Sequence, residues 1–274
     1  MTTADFDIEL RLLLEAVYLK YQFDFRQYAI ASLKRRLNVA LGKFGCRTLS
    51  QLQDRVLHEP AMFPQLLDFL TIQVSEMFRD PGYFLALRQK VVPLLRTWPS
   101  LKIWVAGCST GEEVYSFAIL LREEQLLDRA IIYATDINAA ALQKAQSGVY
   151  ELDRIAGFSA NHRSSGSKTS LSDYYTAAYG AALFDKSLRE HVVFSDHSLA
   201  TDSSFAEVQL VSCRNVLIYF DRQLQDRALG LFRESLPHDG FLGLGAKETV
   251  RFSAHAAAFK DFAREDRIYQ RVGT

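Results

Sequence analysis

Several things are scarce in this sequence. Its three cysteines, Cys46, Cys108 and Cys213, stand far apart with no CxxC or Cys/His spacing, which excludes a disulfide framework and a structural zinc site. Six histidines, at 58, 162, 191, 197, 238 and 255, are scattered without ligand spacing, so no metal is expected. No stretch approaches the roughly eighteen apolar residues of a membrane span. The acidic start, with Asp5, Asp7 and Glu9, lacks the cationic and apolar regions of a signal peptide. A cytoplasmic monomer that does not insert into membrane is therefore expected. Net charge is missing too, because Lys+Arg 32 balance Asp+Glu 32. No global basic field exists to recruit nucleic acid, and any charged recognition is local.

What is present divides the chain. At 274 residues it exceeds the usual single domain. Residues 1–97 read as helical throughout, and Ile30, Leu33, Leu37, Leu41 and Phe44 mark one helix face that ends near Gly45. Further helices are expected over 49–57, 61–70 and 84–98. From residue 98 to 274 the period changes. Short apolar runs at 101–106, 130–134, 208–213 and 241–244 alternate with helical patterns at 112–124, 138–147 and 222–236. That alternation predicts a mostly parallel sheet with helices on both faces. An inserted subdomain is expected at about 150–190, with a polar, mobile loop over 159–170 and an aromatic cluster of Tyr174, Tyr175, Tyr179 and Phe184. Residues 262–272 read as a closing antiparallel strand.

The chemistry concentrates where strands end. In "VAGCSTGEE", Gly107 and Gly111 flank Ser109 at the end of the first strand, where open α/β sheets bind ligands. The spacing is neither GxGxxG nor a P-loop, and no phosphate-binding lysine follows. Thr110 and Glu113 fit a capping box, which leaves Glu112 without a structural duty. Its carboxylate would repel a pyrophosphate and attract an ammonium or sulfonium. Asp136, in "YATDIN", ends the second strand near the distance at which an acid meets a ribose diol, although a strand-end Asp also caps helices. A ribose, no phosphate and a positive charge together describe S-adenosylmethionine (SAM). In "CRNVLIYFD", Asn215 and Tyr219 are expected to face the cleft while Asp221 caps the next helix.

At these residues the chain resembles the CheR-type chemotaxis receptor methyltransferases over nearly its full length. "GCSTGEEVYSFA", "ATDIN", "SGVY" and "CRNVLIYFD" carry the likeness. The resemblance implies a class I SAM-dependent methyltransferase, a Rossmann-like α/β sheet domain, with an all-helical N-terminal domain and a small inserted β-subdomain. It implies transfer of methyl from SAM to glutamate side chains on the helical bundle of bacterial chemoreceptors, with S-adenosylhomocysteine (SAH) as product.

The resemblance also gives a role to "TIQVSEMFRDP", which otherwise reads as a helix before a proline boundary. Gln73, Ser75 and Arg79 match family positions that serve the cofactor and active site, with Gln73 and Ser75 standing where relatives carry Asn and Thr. Gly107, Glu112, Asp136, Ser198, Leu199, Asn215 and Val216 complete the implied cofactor set, Glu112 on the amino group and Asp136 on the ribose. Relatives often have Asn at Ser198, an acid at Gln209 and Pro at Val114. Arg79 and Tyr219 are the implied catalytic residues. Lys34, Arg35 and Arg36 lie off the apolar stripe of their helix, and the resemblance assigns them to the acidic face of the receptor; a solvated helix face is the competing reading. The inserted segment looks short for docking a receptor's C-terminal peptide, so methylation without that tether is expected. Two other readings stay open: a catalytically weak SAM or SAH-binding regulatory module, and a class I methyltransferase for another substrate.

Overall fold

The computed structural model describes residues 3–273. Helices α1 (Thr3–Tyr21), α2 (Ile30–Phe44), α3 (Leu49–His58) and α4 (Met62–Leu70) come first, followed after an extended loop by α5 (Pro81–Ala86) and α6 (Val92–Leu95), joined by a π-helical turn. Helix α2 stops where the sequence says it should, because Gly45 takes the left-handed conformation at φ 66°. The loop at 71–80 is a correction. The expected helix does not form there, and Pro81 instead opens α5.

From β1 (Leu101–Ala106) the chain alternates through α7 (Glu112–Glu123), β2 (Ala130–Asp136), α8 (Ala139–Ser147) and the short β3 (Val149–Glu151). After α9 (Ile155–Ser164) come β4 (Tyr175–Ala178), β5 (Ala181–Phe184), α10 (Lys186–Arg189) and β6 (Val192–Asp196). The chain closes with β7 (Leu210–Cys213), α11 (Arg222–Ser235), β8 (Phe241–Leu244), β9 (Phe259–Ala263) and β10 (Ile268–Arg271). Seven strands form one sheet in the order β6-β2-β1-β7-β8-β10-β9, and β3-β5-β4 form a separate antiparallel sheet. The strands from β6 to β8 are parallel, and β10 and β9 run antiparallel to close the edge. The single closing strand expected over 262–272 is thus a hairpin. The loop expected over 159–170 is helical through Ser164, because Ile155, Phe158 and His162 share one buried face.

Alternation along β1 sorts its side chains between two cores. Ile103 and Val105 pack with α5, α7 and the inserted segment, whereas Trp104 and Ala106 join a cluster that runs through α11 into α1–α4. The N-terminal helices therefore share one apolar core with the sheet. Main-chain bonds reinforce that junction: the amide of Ala29 donates to the carbonyl of Tyr219 and that of Asp221 to Gln27, each at 2.8 Å, and Tyr28 bridges to Phe220. This brings the residues just before α2 against the loop that follows β7.

Candidate active site

The turn between β1 and α7 is shaped by close approach. Gly107 has φ 72°, and a Cβ there would lie 2.5 Å from a methyl of Val216, so only glycine fits without displacing that side chain. The amides of Gly107 and Cys108 both donate to the carbonyl of Thr135 at 2.8 Å, which ties the turn to the end of β2. Ser109 is held at φ 51°, and its amide donates to Asp136 Oδ2 at 2.8 Å. Asn138 donates its amide to Asp136 Oδ1 at 2.9 Å while its own side chain caps α8. Burial pushes the Asp136 carboxyl up, and the amides of Asn138 and Ser109 draw it back.

A cleft of about 940 Å³, open to solvent, lies over this turn. It gathers side chains from distant parts of the chain: Gln73, Ser75 and Arg79 from the 71–80 loop, Gly107 from the turn, Asp136 and Leu199 from the ends of β2 and β6, and Asn215, Val216 and Tyr219 from the loop after β7. Ser109 Oγ donates to Gln73 Oε1 at 2.6 Å, so the longer Gln side chain still reaches the glycine turn. Arg79 lines the cleft, and among the described residues no carboxylate pairs with its guanidinium.

Four expectations are corrected here. Gly111, at φ 90°, is the N-cap of α7 and no side chain caps it, so the Thr110–Glu113 box does not form. Glu112 is fully buried and away from the cleft, held by Thr110 Oγ1 at 2.6 Å and Arg154 Nη1 at 2.7 Å. The carboxylate that lines the cleft is Glu113, braced by Ser212 Oγ at 2.7 Å and Arg214 Nη1 at 2.9 Å. Ser198 also lies outside the lining, because its amide and hydroxyl close a turn with Asp202 and Ala200. The basic run separates as well: Lys34 pairs with Asp7, Arg35 is exposed, and Arg36 turns inward to line the cleft.

Sequence reasoning missed two residues. His197 lines the cleft one position past Asp196, the register partner of Asp136. Its Nε2 lies 3.1 Å from the carbonyl of Ser203, which can only accept, so Nε2 carries the proton and Nδ1 remains an acceptor, buried and unpaired. Glu248 is the other. It is buried and accepts from the amides of Gly245 at 2.6 Å, Asn215 at 2.9 Å and Ile218 at 3.2 Å, and so fixes the left-handed Asn215 at φ 61°. Nothing in "GAKETV" signals that duty.

The comparisons with known proteins follow this geometry. A family model described as the CheR methyltransferase SAM binding domain matches residues 73–265, and one for its all-alpha domain matches residues 8–71. The chain belongs to the CheR methyltransferase family. It is 62% identical to a putative methyltransferase Cher3 of Pseudomonas putida, over 97% of each chain. It is 30% identical to chemotaxis protein methyltransferase Cher2 of the same species, covering 91% of this chain and 92% of that one. Chemotaxis protein methyltransferase 1 of Pseudomonas aeruginosa is 29% identical, with 91% and 92% covered. The protein is thus a SAM-dependent methyltransferase with a class I α/β fold.

The cleft fits SAM on its own chemistry. Asp136 offers a carboxylate for a sugar diol at a strand end, the glycine turn admits close backbone approach, and Asn215 Oδ1 and His197 Nδ1 are buried acceptors without a protein donor. Burial pushes the thiols of Cys108 and Cys213 well up, so neither lies poised as a thiolate nucleophile.

Proposed function

We propose that this protein forms methyl esters on glutamate side chains in the cytoplasmic helical bundle of bacterial chemoreceptors. The observation that carries the reading is that two guanidiniums, of Arg36 and Arg79, line the cleft with no carboxylate partner among the described residues, which suits an anionic acceptor beside the methyl donor's own carboxylate. The printed names of two relatives, both chemotaxis protein methyltransferases, support the setting.

When bound, SAM supplies an electrophilic methyl group on a sulfonium. The acceptor carboxylate, with an ordinary pKa of about 4.3, is already ionised near neutrality, so the chain has no proton to remove. Its task is alignment, which can contribute roughly 7 to 11 kcal/mol in well-oriented systems. Asp136 and Asn215 hold the nucleoside end, Gln73 and Ser75 line the cleft beside the glycine turn, and Tyr219 hydrogen-bonds the incoming oxygen. Arg35, exposed on α2, meets the acidic receptor surface.

The test is incubation of the pure protein with methyl-labelled SAM and receptor-containing membranes. Label released by mild alkali as methanol and mapped to glutamate is the expected result. Base-stable label would assign another acceptor atom, and tight SAH binding without transfer would favour the regulatory-module reading.

A further inference from the structure

Arg36 does not sit on the surface of α2. Its Nε donates to the carbonyl of Ser32 at 3.2 Å, and its Nη1 donates to the carbonyls of Phe69, at 3.1 Å, and Leu70. Those carbonyls belong to the last turn of α4, where helix ends present acceptors and partial negative charge. The remaining nitrogen, Nη2, is buried without a hydrogen-bond partner. The guanidinium carbon lies 6.0 Å from the ring centre of Tyr219, and both residues line the same cleft as Arg79.

The carboxylates of that wall are already engaged, Asp136 by the amides of Ser109 and Asn138, and Glu113 by Ser212 and Arg214. Two guanidiniums thus reach one cleft with no carboxylate partner among the described residues. A buried charged donor left unpaired costs free energy that an incoming anion recovers. The methyl donor brings one carboxylate, on its amino-acid tail. Two unmatched cations are one more than it needs.

We infer that Arg36 Nη2 binds the acceptor's side-chain carboxylate inside the cleft, while Arg79 serves the carboxylate of the methyl donor. This rests on the carboxyl-methylation reading above. A carboxylate has about four lone-pair sites, and one nitrogen of a guanidinium whose other two are committed occupies only part of them. A lone pair of the acceptor oxygen forms the new O–CH₃ bond as the C–S bond breaks, with its electron pair going to sulfur. No proton moves, and the carboxylate and sulfonium charges both vanish. The anion that Arg36 held is gone once the ester forms, so the guanidinium grips substrate better than product and selects a carboxylate over a carboxamide.

The test compares the wild type, Arg36→Lys and Arg36→Gln in two measurements: SAH affinity by calorimetry, and the initial rate of alkali-labile methylation against acceptor concentration. Arg36→Gln is expected to keep SAH affinity within about twofold while its kcat/KM for acceptor falls roughly 10- to 100-fold, the size of one charge-assisted hydrogen bond. Arg36→Lys, which keeps the charge, should recover part of that loss. Arg36→Lys also decides the matter if Arg36→Gln fails to fold, because a higher acceptor KM at unchanged SAH affinity is still required of it. Parallel losses of SAH affinity and methylation, or a wild-type rate in Arg36→Gln, would overturn the assignment. A wild-type protein that forms no alkali-labile methyl at all removes the carboxyl-methylation reading itself, and this inference with it.

Discussion

Helix α7 begins and ends among buried charges, and they balance at one end but not at the other. Near its start, Glu112 and Glu113 pair with Arg154 and Arg214, and Asp136 and Glu248 are satisfied mainly by backbone amides, so the acids are engaged while Arg36 and Arg79 are left without acid partners among the described residues. At its end, Glu123 and Glu124 meet cations directly. Arg88 reaches both, Arg96 and Lys168 reach Glu124, and His162 lies 3.0 Å from Glu123. The second cluster closes on itself, stitching the π-helical turn after α5 and helix α9 to α7. Burial of charge therefore does not locate function in this molecule; mismatch of charge does.

The largest effect that would sharpen this contrast is on stability. Arg88→Ala removes the one cation shared by two buried carboxylates and should cost about 3 kcal/mol in urea denaturation, the low end for a broken buried pair because Arg96, Lys168 and His162 remain, with SAH affinity unchanged in the folded protein. A loss of SAH affinity at retained stability would join the two regions and break the distinction. Asp136→Ala should do the reverse, lowering SAH affinity by about 3 kcal/mol or more through lost charge-assisted hydrogen bonds, read by calorimetry, with a smaller change in stability.

Acid titration should separate the ends by sign. Burial pushes Glu123 up, but hydrogen bonds from His162 and Thr169 and the Arg88 charge outweigh it and hold the carboxyl at about 2. Its stabilisation is present above the ordinary value of 4.5 and is lost as pH falls toward 2. Asp136 and Glu248 are raised by burial, so their ionisation costs stability above their folded values, and acid relieves that cost. Wild type should therefore lose stability on acidification between pH 4.5 and 2 more steeply than Glu123→Gln does. Equal slopes would remove Glu123 from the account.

Smaller effects test the cleft alone. Tyr219→Phe should leave SAH affinity intact and lower turnover about tenfold, the worth of one hydrogen bond near 1.4 kcal/mol. Arg35→Glu should weaken methylation of receptor membranes a few-fold, roughly 1 kcal/mol for an exposed pair, and the difference should shrink as salt is added.

The sheet was largely legible because β1, β7 and β8 are short runs buried on both faces and β2 is an apolar run with only Ile131 exposed. β6 was not, since an edge strand whose residues are mostly half-exposed or exposed carries no such run. Helix α9 hid behind its Ser, Asn and His content, because only its inward face is apolar. In the site, Asp136 and Asn215 could be read from strand ends alone. The exchange of roles between Glu112 and Glu113 could not: one residue turns a helix by about 100°, and which of two adjacent acids faces the cleft depends on partners, Arg154 and Arg214, that lie far along the chain. Glu248 was invisible, and Arg36 was read as a surface contact and not as a cleft residue, because their surroundings come from segments 30 or more residues away.

The stitched junction between the start of α2 and the loop after β7 has its own consequence. Because main-chain bonds hold it, only an exchange that removes an amide, such as proline at Ala29 or Asp221, unpicks it. Cutting the gene where the two family models meet, near residue 72, would strip Tyr28 and Arg36 from the catalytic half and leave a groove missing one bank. The pocket belongs to both halves of the chain, and neither half holds all of its wall.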